Sequence, residues 1–442
     1  MNEQTVQVKA RFDRTLVRQH HTSVRYLVVE TTAPPPERTK ENMPPLNLGV
    51  VIDASGSMEA HDGAGSHGPD MSRLEAAQQA SKGIAGSLDP SDTLSLVSFA
   101  DDAMVHLPAT RLDNEGKRAA IRAIEQIETR GCTNLHEGWM AGAEQVALHK
   151  EEHPEGIHRL LILTDGQANN GLVDPQELSE VAANLRMRGI STSTVGIGQG
   201  YSTEQIEPIA EHGGGMLHHT EYASDIIEVV LAELKDMRAT VVDDLEIAVS
   251  CESAQSIGIE AVGTVMRAGR IALGSLVGNA TRRAVFRVKV PAGCTEPLRF
   301  SVEATWRSDE GRAQTTCPLV LTPDHDEAVY TEVWDQAVCT EAARIWQAEI
   351  VRQALELNRA GDYRGARRFA KAQKRYFTHY ARRLDEGEEM LYKLEQALER
   401  MQRPMEEYAR KEIGVAMHKM RTNSSDYRAS QAPPSWEKFL RD

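Results

Sequence analysis

The stretch LNLGVVIDASGSM, residues 46–58, decides the fold. Up to Ile52 it is apolar or small on nearly every side chain, the pattern of a strand buried on both faces in a parallel sheet. Asp53 ends that run, and the Ser55-Gly-Ser57 that follows turns the chain. Three further runs have the same character: TLSLVSFA (93–100), HRLLILTD (158–165) and STSTVGIG (191–198). Between them, RLEAAQQASKGIAGSL, EGKRAAIRAIEQI, LHEGWMAGAEQVALHK and PQELSEVAANLRMRG space their apolar residues at the helical period. Alternating strands and helices predict an open, doubly wound α/β domain, in which ligands bind beyond the carboxyl ends of the strands.

Working outward, the chain has 442 residues, with 40% hydrophobic and 26% charged side chains. That composition excludes a disordered or collagen-like protein and leaves room for several cores. The net charge of −15 argues against a nucleic-acid-coating protein, and it is unevenly placed. Residues 46–237 hold 30 acidic and 12 basic side chains, a balance of −18, while the flanking regions are nearly neutral. No apolar run reaches the ~20 residues that cross a bilayer, and the start MNEQTVQVKARFD has no basic-then-apolar signal pattern. Five scattered cysteines without a CxxC pair suggest reduced thiols. The expectation is a cytoplasmic protein with no membrane span.

Beyond the α/β segment the pattern changes. Residues 238–322 carry short strands separated by Gly-containing turns, the mark of an antiparallel β-sandwich. Residues 1–45 contain two strand-like runs, too few to bury a core alone, and are expected to join that sandwich. The α/β domain, 46–237, would then be inserted in it. Residues 323–425 read as a helical domain and 426–442 as a flexible tail. In the helical domain, Tyr330, Trp334, Val338, Ala342 and Ile345 are expected on one face of one helix. A later helix carries a seam from Leu391 to Tyr408 that Pro404 should kink.

Three strand-end loops carry oxygen donors and little else: Asp53-Ala-Ser55-Gly-Ser57, Gly131-Cys-Thr133-Asn and Asp165-Gly166. Two carboxylates and three hydroxyls suit a hard, octahedral cation such as Mg²⁺ or Mn²⁺, whereas zinc would want His or Cys. Together the DxSxS, the GxTN loop and the TDG turn resemble the metal-ion-dependent adhesion site (MIDAS) of von Willebrand factor A (VWA) domains. The resemblance covers about residues 46–237. It implies that Asp53, Ser55, Ser57, Thr133 and Asp165 hold Mg²⁺, or Mn²⁺ or Ca²⁺. A protein partner would supply an Asp or Glu to complete the coordination. More weakly, the overall plan is similar to bacterial cytosolic VWA proteins with a flanking β-sandwich and C-terminal helices.

Two departures stand out. A glycine-rich insertion lies between Met58 and Met71, and it either shapes partner specificity or is merely tolerated. Its Glu59, His61, Asp62, His67 and Asp70, with His136 after Thr133, are candidate partner contacts. His61, Asp62, His67 and Asp70 as a second metal site is weighed against plain solvated residues, and the latter is favoured. Cys132 is expected as a small buried thiol, and His218 and His219 as surface or strand-end residues.

Three readings of function follow. The first is a metal-dependent protein-binding module. The second is a metal-dependent hydrolase using His136 or Glu137, and the third is a structural scaffold. A separate signal is the helix around Tyr363–Leu384, whose Arg364, Arg367, Arg368, Lys371, Lys374 and Arg375 share one face. It either pairs within the protein or binds an anionic partner. The sequence leaves the oligomeric state open.

Overall fold

The computed structural model describes residues 5–35, 44–61, 71–198, 200–220, 225–253, 255–308 and 311–422. The tail expected over 426–442 lies outside them. The chain divides into two compact units, one of residues 1–35 with 241–442 and the other of residues 36–240.

The N-terminal part supplies β1 (Gln7–Phe12), β2 (Leu16–Arg18) and β3 (Ser23–Thr32). The second unit then begins with β4 (Leu46–Asp53), every residue of which is buried. It is followed by α1 (Arg73–Ser87), β5 (Thr93–Phe99), β6 (Ala103–Arg111), α2 (Asn114–Glu125) and α3 (Leu135–Glu152). Next come β7 (Ile157–Thr164), α4 (Pro175–Met187), β8 (Ser191–Ile197), α5 (Thr203–Gly213), β9 (Gly214–Thr220) and α6 (Asp225–Ala239). The six strands form one sheet in the order β6-β5-β4-β7-β8-β9, parallel except for the edge strand β6. One face is sealed by α1 and α6, whose Ala76, Ala80, Ile84, Val230 and Leu234 join Leu48, Val50 and Ile52 in a single core. The other face receives α3. Its Gly138 and Gly142 have no room for a side chain, since a Cβ there would fall 2.5 Å from Phe99 Cβ and 2.5 Å from Val51 Cγ2. Close packing on the sheet is therefore what those two glycines provide.

Two strands of this sheet escape the run-of-apolar pattern. β6 is an edge strand with Pro108 in it and only Leu107 fully buried, so it needs little apolar content. β9 opens on two glycines and carries His218 and His219. His218 is not a surface residue: it is 5% exposed, with Nε2 2.7 Å from Glu233 Oε2 on α6. A buried, hydrogen-bonded His–Glu pair there replaces the apolar residue that the pattern would require.

The first unit is a β-sandwich with helices on one outer face. Its remaining strands are β10 (Thr240–Glu252), β11 (Gly258–Val262), β12 (Arg270–Val277), β13 (Thr281–Val290), β14 (Leu298–Ser308) and β15 (Gly311–Asp324). They form two sheets, β1-β3-β13-β11 and β12-β10-β14-β15-β2. Alternation along β3 assigns each side chain to a layer. Leu27 and Val29 enter the sandwich core with Phe286, Phe300 and Val302, while Tyr26 and Val28 join the helical core. Tyr26 stacks on Trp346 with ring centroids 5.6 Å apart and meets Tyr380 edge-on at 5.1 Å.

The helices are α7 (Asp326–Thr331), α8 (Gln336–Arg359), α9 (Tyr363–Ala381), α10 (Gly387–Arg400) and α11 (Glu407–Thr422). Two expectations are corrected here. Tyr330 does not share a helix with Val338, because the chain breaks between α7 and α8, where Asp335 accepts a hydrogen bond from Val338 N at 3.1 Å and caps the new helix. Tyr330 is 69% exposed. Pro404 ends a helix rather than kinking one: it lacks the amide proton and disfavours helical geometry at Arg403, so α10 and α11 are separate. No helix among the described residues is long and apolar enough to cross a membrane.

Candidate metal centre

The site forms where β4 and β7, adjacent parallel strands, both end. Ile52 pairs with Leu163, which brings Asp53 beside Thr164 and Asp165. Asp53 is fully buried. Its Oδ1 accepts a hydrogen bond from Ser55 N at 2.9 Å, the local turn that Asp favours, and its Oδ2 accepts one from Thr164 Oγ1 at 2.6 Å. The chain then makes a 3₁₀ turn, Gly56–Glu59, that plants Met58 in the core.

Ser55 Oγ and Ser57 Oγ lie 3.1 Å apart, and Ser57 Oγ donates to Asp165 Oδ1 at 2.7 Å. Backbone bonds join this loop to the one before α3: Gly56 N to Gly131 O at 3.3 Å, and Arg130 N to Ala54 O at 2.7 Å. The second loop carries Thr133, 5% exposed. Gly166 separates it from Asp53, for a Cβ on that glycine would lie 3.1 Å from Thr133 Oγ1 and 3.5 Å from Asp53 Oδ2. The five oxygen-bearing residues singled out in the sequence thus lie in neighbouring loops at this end of the sheet.

Electrostatics single out Asp53. Burial pushes its carboxyl up to about 6, and the nearby Asp165 charge adds to that against the hydrogen bonds from Ser55 and Thr164. Asp165 has a cationic neighbour instead, Arg73 at the first position of α1. Its Nη1 donates to Asp165 Oδ2 at 2.7 Å. A reciprocal capping box places Arg73: Ser72 Oγ accepts from Glu75 N at 3.1 Å, while Ser72 N donates to Glu75 Oε2 at 2.8 Å. Gly198, at φ +64°, leaves the passage open, since a Cβ there would strike the guanidinium at 2.6 Å.

Several participants were not visible as site residues in the sequence. Thr164, Arg73 and Asp101 all support the five. Asp101 Oδ1 accepts a hydrogen bond from Cys132 N at 3.1 Å and so holds the Thr133 loop. Asp101 does follow a strand end, which is the one signal that could have found it. Arg73 has no comparable local mark, because its partner lies 92 residues away.

The other candidates fall elsewhere. Glu59 is exposed and accepts a hydrogen bond from Thr129 Oγ1. His61 is exposed and bridges to Ser72 through the backbone. Asp62, His67 and Asp70 lie outside the described residues. Cys132 is exposed, not buried as expected. His136 is half-buried, and burial lowers its basicity against the pull of Glu137. Glu137 serves the cap of α3: Asn134 Nδ2 donates to its Oε2 at 2.7 Å, while its own N donates to Asn134 Oδ1.

On the other unit, Arg364, Arg367, Arg368, Lys371, Lys374 and Arg375 are all exposed along α9. Lys374 pairs with Glu395 on α10, and Arg367 Nε donates to Gln402 Oε1 at 3.2 Å.

The von Willebrand factor type A domain family matches residues 47–247. The Escherichia coli protein YfbK is 28% identical over 211 residues, 48% of this chain and 34% of its own length. A Synechocystis relative, sll0103, is likewise 28% identical, over 41% of this chain and 39% of its own length. The chain thus matches little more than a third of these relatives. A von Willebrand factor type A structure from Catenulispora acidiphila superposes with a TM-score of 0.68 over 94% of this chain and 97% of that one, at 15% identity. At that identity the likeness concerns fold, and it extends across the sandwich and helices. Residues 47–247 form a von Willebrand factor type A domain.

Proposed function

We propose that Asp53, Ser55, Ser57, Thr133 and Asp165 hold a divalent cation, Mg²⁺ in the first place with Mn²⁺ or Ca²⁺ as alternatives, and that the domain grips a protein partner there. The observation that carries this reading is the chain of contacts from the Ser55 hydroxyl to that of Ser57 and on to Asp165, with Asp53 and Thr133 both beside Gly166. The donor set is entirely oxygen, which suits a hard cation. The buried carboxyl of Asp53, unfavourable as an anion when alone, also fits such an ion. A cation held mainly by neutral hydroxyls stays electrophilic and would accept one Asp or Glu from the partner.

The chain's own residues do the positioning. Asp53 and Thr164 fix the turn that presents both serines, Asp101 fixes the Thr133 loop, and Arg73 orients Asp165. A domain at −18 repels a generally acidic surface. The partner is therefore one that offers a single well-placed carboxylate amid neutral or basic residues, and nucleic acid is not expected. The five free thiols fit a reducing, cytoplasmic setting. A hydrolase would need a base at the site, and the carboxylate of Glu137 is engaged by Asn134. The test is capture of a partner from native extract in Mg²⁺. Capture should vanish with EDTA and in Asp53→Ala or Thr133→Ala, and undiminished capture in all three would refute the reading.

A further inference from the structure

The opposite end of the same α/β sheet carries a second cluster. α3 ends beside the amino ends of β4 and β5, where Asn47 Nδ2 donates to Val146 O at 2.9 Å and Thr93 Oγ1 lies 3.1 Å from His149 Nε2. Here the sequence reads His149-Lys-Glu-Glu152-His153. Residues three and four apart share one helical face, so both imidazoles and the Glu152 carboxylate are presented together. One ligand atom from each of the three lies within 4.8 Å of the others. The two rings are 4.7 Å apart at their centroids. Glu155 Oε1 approaches His153 Nδ1 at 3.6 Å from the turn beyond the helix.

We propose that His149, Glu152 and His153 form a zinc-binding site, distinct from the oxygen site at the other end of the sheet, with Glu155 or water as the fourth ligand. Two imidazoles and a carboxylate are a borderline donor set with three protein ligands, the composition of an open zinc centre and the wrong one for Mg²⁺. The site has an orienting partner as well. Thr93 engages one nitrogen of His149, which fixes the ring and leaves the other nitrogen for the metal. Backbone bonds from His153 N to His149 O at 3.0 Å and from Gly156 N to His153 O at 3.3 Å hold the second imidazole and the following turn. Zinc here would tie the end of α3 to the turn that enters β7.

The test uses the full chain with Asp53→Ala, so that the proposed oxygen site is disabled and its fate is separate. Zn²⁺ is titrated by calorimetry and Co²⁺ by its visible absorption, with excess Mg²⁺ present throughout. One site should appear, with the absorption of low-coordinate cobalt bearing nitrogen ligands. Thr93→Val should weaken it by about tenfold, and His149→Ala and His153→Ala by more. His153 is exposed, so its removal leaves the core intact, and it decides the matter if the His149 variant fails to fold. Absence of the site in the Asp53→Ala protein, or equal affinity after His153→Ala, overturns the proposal.

Discussion

Arg73 Nη1 donates to Asp165 Oδ2 at 2.7 Å, inside a site where Ser57 holds the other oxygen of the same carboxylate. The Asp165 side chain is fully buried and that of Arg73 is 13% exposed, so the pair is shielded from solvent. A fixed guanidinium thus balances one of the two carboxylates at this strand end, while Asp53 depends on hydrogen bonds from Ser55 and Thr164.

Removing that cation has a defined consequence. Arg73→Met leaves Asp165 as an uncompensated buried charge and should destabilise the metal-free protein by about 3 kcal/mol. It should also make the site more attractive to Mg²⁺. Thermal melts with and without Mg²⁺ check both: the metal-dependent rise in Tm should be larger in Arg73→Met than in the parent protein.

The raised carboxyl of Asp53 sets a pH dependence. In metal-free protein its folded value of about 6 lies above the ordinary value of 3.8, so the folded state binds the extra proton between those limits. Its contribution to stability is therefore favourable at low pH and is lost as pH rises through 6. Asp53→Asn should remove that component, measured by denaturant unfolding in EDTA from pH 4 to 7. Divalent-cation affinity should move the opposite way and weaken as pH falls below 6, because the proton competes for the same carboxylate.

Packing of α3 supplies a third prediction. Gly138→Ala places a methyl 2.5 Å from Phe99 Cβ. The gain in helix propensity, ~1 kcal/mol, is smaller than the ~1–3 kcal/mol overpacking penalty, since neither the sheet nor the helix can retreat without uncovering core. Urea denaturation should therefore show a net loss of stability.

The basic face of α9 gives a fourth. Apart from the Lys374–Glu395 pair and the Arg367 bond to Gln402, its charges point outward. Reversing Arg368, Lys371 and Arg375 to Glu should change stability by only about 0.5 kcal/mol or less at each position. A cooperative loss in the melting curve would show instead that this face is packed.

Much of the centre was legible because its parts are local. β4 declares itself by apolar residues on both faces, and Asp53, Ser55 and Ser57 follow directly at its end. Thr133 and Asp165 stand in loops beside predicted elements for the same reason. What could not be read is set by distance in the chain. Arg73 gains its role only when α1 starts beside the end of β7, and His218 is buried only because Glu233 on α6 meets it. The edge strand β6 lacks a buried face, and the α7–α8 break depends on a cap by Asp335 that the apolar spacing does not reveal.

The central claim is that five oxygen-bearing residues at one strand end hold a divalent cation for a partner's carboxylate. Its most direct test is calorimetric titration of the full chain with Mg²⁺, repeated in Asp53→Ala and Thr133→Ala with the fold verified by circular dichroism. The account predicts one Mg²⁺ site in the parent protein that is lost in both variants while their spectra stay unchanged. Mg²⁺ binding that persists undiminished in the two folded variants would contradict it.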